Sequence, residues 1–82
     1  MNAAIGPDEI AEDLLASADL FEPGEWALVE GQAVELLVEA RARDVDPRDY
    51  AAQLLVDLEA TMADDEIDLA MAAALVYAGR IV

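Results

Sequence analysis

Any chemistry in this chain must be done with carboxylates and arginines. Nineteen of its 82 residues are Asp or Glu, four are Arg, and His, Lys and Cys do not occur. General acid–base and nucleophilic catalysis draw mainly on those missing types or on an activated hydroxyl. One serine, Ser17, and one threonine, Thr61, stand in the sequence, and neither has a base candidate other than a carboxylate. A pair of carboxyl groups can cleave a glycosidic bond, but only across a cleft that holds the sugar. A chain this short has little room for one, so we expect no enzyme and no catalytic residue.

Carboxylates also bind metals. Asp44-Val45-Asp46 opens like a calcium loop, but the sixth position, which needs Gly, is Asp49, and the twelfth, which needs a bidentate Glu, is Leu55. The cluster Asp64, Asp65, Glu66 and Asp68 reads as the acidic first turn of a helix, where negative charge complements the dipole. No metal and no cofactor are expected. Without Cys there are neither disulfides nor thiolate sites.

Charge sets the classes of partner. The net charge is −15, and residues 1 to 40 carry ten acids and no base. Phosphate backbones are gripped by Lys and Arg, so direct nucleic-acid binding is not expected. The N-terminal ten residues lack the basic and apolar segments of a signal peptide. The longest uncharged run, Leu69 to Gly79, is about half the ~20 residues of a membrane span. The expectation is a cytoplasmic protein that does not enter membranes.

These side chains must be positioned by helices. Hydrophobic residues make up 57% of the chain, above the ~45–50% usual for soluble domains, which separates it from a disordered acidic tail. Three prolines sit where helices should begin, since Pro at the first helical position loses no intrahelical bond. Gly6-Pro7-Asp8-Glu9 opens a first helix with Ile10, Leu14, Leu15 and Ala18 on its apolar face. Glu22-Pro23-Gly24-Glu25 opens a second, striped by Trp26, Val29, Ala33, Leu37 and Ala40 and widened by Val34, Leu36 and Val38. Gly31 falls inside this helix at a cost of about 1 kcal/mol, so a kink or a late start is open. Asp46-Pro47-Arg48-Asp49 caps a third helix, with Tyr50, Ala51, Leu54, Leu55, Leu58 and Met62 on its apolar face. Asp64 caps a fourth, which Gly79 ends. The result is a single all-α domain over 1–82, a compact four-helix bundle with helices near 7–19, 23–44, 47–62 and 65–78.

The fourth helix carries no charge from Leu69 to Ala78. A helix apolar on every side is buried on every side, either at the centre of the bundle or partly against a second copy.

Size, helix count and charge make the chain similar to an acyl carrier protein. Such carriers attach their prosthetic group to a serine opening the second helix; the segment in that place, Pro23 to Leu28, has none. The stretch Val34 to Leu55 resembles the helix–turn–helix half of ribbon-helix-helix antitoxins. It departs from them in holding Asp44 where the turn usually has Gly, and in having no basic strand before it. This resemblance implies a helical hairpin.

Two functions are expected from these features. One is an acidic inhibitor or neutralising protein, of the antitoxin, immunity or phage anti-defence type, whose negative field steers it onto a basic partner protein and masks its surface. Glu9, Glu12, Asp13, Glu25, Glu35 and Glu39 would make that contact. The alternative is an assembly subunit or chaperone that forms a homodimer or larger assembly through Leu69, Val76, Tyr77 and Ile81.

Overall fold

A computed structural model of the chain describes residues 6–61 and 67–81. It is all-α. Helices α1 (Pro7–Ala16), α2 (Pro23–Ala42), α3 (Pro47–Thr61) and α4 (Ile67–Tyr77) form a four-helix bundle-like domain, and a 3₁₀ turn, Ser17–Leu20, follows α1. The proposed cap Asp64 and the apolar Met62 lie outside the described residues.

Each proline takes the first position of its helix. Gly6 is extended before Pro7, and its carbonyl accepts the N–H groups of Glu9 and Ile10 at 3.1 Å. The Glu22 N–H donates to Glu25 Oε1 at 3.0 Å, one half of a capping box that satisfies a donor at the start of α2. At α3 the Arg48 N–H donates to Asp46 Oδ1 at 2.8 Å, the cap the sequence predicts.

Helix α2 runs unbroken through Gly31 for 20 residues. It ends at Asp44, the turn position where the antitoxin pattern has Gly, and Asp44 is held at φ 58°. Val45 N–H donates to the Ala40 carbonyl and Asp44 N–H to that of Arg41, so the last carbonyls of α2 are satisfied in a Schellman turn. Helix α4 ends the same way. Gly79 has φ 76°, Arg80 N–H bonds the Leu75 carbonyl and Gly79 N–H that of Val76, both at 3.0 Å.

Helix α4 is the centre of the molecule. It packs against α1, α2 and α3, whereas α1 and α2 make no extensive contact with each other. Six consecutive residues, Met71 to Val76, are buried. At 3.6 residues per turn six positions pass right round the helix, so α4 is covered on every side. Val29, Ala33, Leu36 and Ala40 of α2, Ala51 and Leu55 of α3 and Ala11 of α1 complete the core. No polar or charged residue is buried among the described residues.

The apolar surface of α2 is distributed differently from the expectation. Leu36 is buried, but Val34 and Val38 are 51% and 61% exposed. At 100° per residue, Val34 lies about 140° and Val38 about 180° round the helix from Val29. They form part of a second apolar stripe facing away from the core, and do not widen the first.

The two left-handed turn residues give mutations of opposite sign. A Cβ at Gly79 is strained by its φ and would stand 2.6 Å from the Arg48 guanidinium, which lies over the end of α4. Gly79→Ala is expected to destabilise by about 1–2 kcal/mol, and Asp44→Gly to stabilise by about 0.5–1 kcal/mol. Urea unfolding monitored by helical circular dichroism measures both.

Candidate binding surfaces

The acids expected to meet a partner fall into two groups on helices that do not pack together extensively. On α1, whose inward residue is Ala11, Glu9, Glu12 and Asp13 lie on the outward face and all three are exposed. On α2, Glu25, Glu35 and Glu39 are also exposed, along one edge of the helix. The structure therefore presents two acidic faces and does not assemble all six side chains into one.

Two of the α2 acids already have work inside the fold. Glu25 accepts the Glu22 N–H. Glu39 accepts the Tyr50 hydroxyl at 3.0 Å and pairs with Arg43 at 3.5 Å. The Arg43 guanidinium also lies 5.3 Å from the centre of the Tyr50 ring, within range of a cation–π contact. Glu39 and Arg43 stand four residues apart on one helix turn, the favoured spacing for such a pair. Tyr50 joins them from the next helix, across the turn. This cluster ties α2 to α3 at their shared end. Both charged partners are exposed, so the ion pair itself contributes little, up to about 1 kcal/mol before solvent screening.

A second tyrosine, Tyr77 at the end of α4, lies near the Asp8 carboxylate in the first turn of α1. The two line an open cleft of about 360 Å³ together with Ala11, Glu12, Leu15 and Ala78. Donation to a carboxylate favours the neutral phenol. The Tyr50 pKa is accordingly raised above 10.0, first by its hydrogen bond to Glu39 and then by burial, with Arg43 opposing. The Tyr77 pKa is raised above 10.0, first by the Asp8 carboxylate beside it and then by burial.

Of the residues expected to mediate self-association, one lies fully in the core and three at its margin. Val76 is 0% exposed, covered by the chain's own helices, and is not available to a second copy. Leu69, Tyr77 and Ile81 are partly buried against the same core. The absence of charge on α4 reflects its central position, because a helix enclosed by three others has no solvated face on which to place one.

What remains exposed and apolar belongs to other elements. Leu20 and Leu28 are 84% and 63% exposed, and the outward stripe of α2 is open to solvent along its length. Among the described residues no group of three or more acids is placed to hold a metal ion. No helix among them is long and apolar enough to cross a membrane.

Fold and surface together define an all-α helical domain with an apolar centre and carboxylate-covered outer faces. Comparison with protein-family models, curated proteins and solved structures finds no match.

The two tyrosines set an alkaline limit. Both phenols have raised pKa values in the folded chain, so their contribution to stability is complete below pH ~10, the unfolded value, and is lost as pH rises through the folded values. Ultraviolet titration of the folded protein should show both tyrosines ionising above 10.0. Glu39→Gln should bring one of them down, since the amide cannot hold the phenol neutral against a full negative charge.

Proposed function

We propose that this chain is a protein-binding module that presents carboxylates on helical faces to a basic partner and masks the partner's surface, as an inhibitor or neutralising protein does. The observation that carries this reading is the outward face of α1. Glu9, Glu12 and Asp13 stand exposed there, and among the described residues no ion pair engages them.

Like charges crowded on a short helix repel one another, so their arrangement is compensated best by a partner that brings cations. The net charge of −15 extends this local preference into a field that attracts a basic surface before contact. Such a surface is often built to grip phosphate, and carboxylates on a helix can stand in for that anion. The reading is one of binding without catalysis, since the sequence has no His, Lys or Cys to serve as general base or nucleophile.

Bulk charge and a specific face are separable. Changing Glu9, Glu12 and Asp13 to their amides should weaken the complex about tenfold, from three exposed charge contacts of about 0.2–1 kcal/mol each. The corresponding amide variant of Asp49, Asp57 and Glu59 on α3 has the same net charge and should bind as the wild type. Affinity capture from the native host at low and high salt, followed by titration of the captured protein, makes the comparison. A basic partner released by salt and lost only by the α1 variant is expected. Equal losses from the two variants would reduce the effect to charge alone, and partners that are not basic would remove the reading.

A further inference from the structure

Helix α2 has a second apolar stripe, and the charges beside it specify what fits there. Ala27, Gly31, Val34, Val38 and Ala42 follow one another at steps of four, three, four and four residues and all five are exposed. They run for roughly 22 Å along the helix at 1.5 Å per residue, on the side opposite Val29, Ala33, Leu36 and Ala40. Val45, 44% exposed, continues the row into the turn. No charged residue lies within it.

One edge of the stripe carries Glu30 in its first half and Arg41 in its second. They are eleven residues apart, three turns plus about 20°, and therefore share that edge. Both are exposed, and neither makes an ion pair among the described residues. Within α2 the acids Glu25, Glu30, Glu35 and Glu39 all precede its one base, Arg41, and Arg43 follows as the C-cap.

We infer that this face docks a second copy of the chain, with the two α2 helices antiparallel about a two-fold axis. In such a pair each edge meets the same edge of the other copy in reversed order. Arg41 then stands beside the partner's Glu30, and Glu30 beside the partner's Arg41, so one contact is made twice. A parallel pair would set each edge against the opposite one, bringing Glu30 toward the Glu35 of the other copy. Chains of net charge −15 repel each other at a distance, and they can meet only where charge is locally absent or compensated. The outward stripe of α2 is free of charge, and Glu30 and Arg41 compensate each other along one edge, while Glu35 on the other edge faces its own copy near the two-fold axis. Small residues at its first two positions, Ala27 and Gly31, let the helix axes approach.

The test reads mass and stability together. Sedimentation equilibrium of the intact chain, from micromolar to near-millimolar concentration at ~0.15 M salt (where the Debye length is about 8 Å), should show a shift from monomer to dimer. Gly31→Gln should raise the dissociation constant at least tenfold without lowering the melting temperature at a concentration where the protein is monomeric. Within one chain a Cβ at Gly31 meets nothing within 4 Å, and Gln is a better helix former than Gly. Arg41→Glu should weaken the dimer, and Glu30→Arg combined with Arg41→Glu should restore it. A protein that stays monomeric throughout, or a dimer indifferent to Gly31→Gln, overturns the inference. Failure of the charge swap to restore association overturns the antiparallel arrangement. A monomer whose capture of a basic protein is lost on Gly31→Gln would assign the stripe to that protein in place of a second copy.

Discussion

The structure depends on enclosing one helix completely. Met71 to Val76 are six consecutive buried residues, three of them alanines in a row, and no face of α4 over that length can be left to water. A helix in this position needs neighbours on every side, and an 82-residue chain has three others to supply. The alanines suit this arrangement because short side chains let α1, α2 and α3 come close, leaving Met71, Leu75 and Val76 to fill the gaps. Overpacking such a site forces backbone shifts costing typically about 1–3 kcal/mol, so α4 has little freedom to vary in size.

Charge follows from the same constraint. With α4 enclosed and no polar or charged residue buried among the described residues, nearly all the polarity of the chain is on the outside of the remaining helices. Four arginines cannot balance 19 acids, and one of them, Arg43, is already engaged with Glu39 and Tyr50. The outer surface is acidic as a result, but not evenly. Carboxylates occupy the outward face of α1 and one edge of α2, while the back of α2 is apolar. The molecule thus has two kinds of surface that suit different contacts.

The helices were legible because their boundaries are written in local chemistry. Proline at the first position, Asp46 as a cap and Gly79 as a left-handed stop act within a few residues of themselves, and the structure uses each one. Faces were less legible. An apolar residue in a helix is evidence of burial only when its angle agrees with its neighbours', and Val34 and Val38 belong to a different stripe from Val29 and Ala33. In α4 the lack of charge was recognisable, but periodicity alone does not say whether a helix apolar all round is covered by its own chain or by another; the packing of three helices around Val76 decides it. The bond of Tyr50 to Glu39 links separate helices, and local spacing carries no trace of it.

Gly31 brings these lines together. Inside a 20-residue helix it lowers stability by about 1 kcal/mol relative to Ala, and nothing in the chain approaches the space where a side chain would stand. Neither the core nor a turn asks for glycine there: the helix is regular, and the residue is on its outer side. Its neighbours along that side, Ala27, Val34, Val38 and Ala42, are apolar although water is all that faces them within one chain. An exposed surface that omits both charge and side-chain bulk is poorly suited to solvent and well suited to another helix.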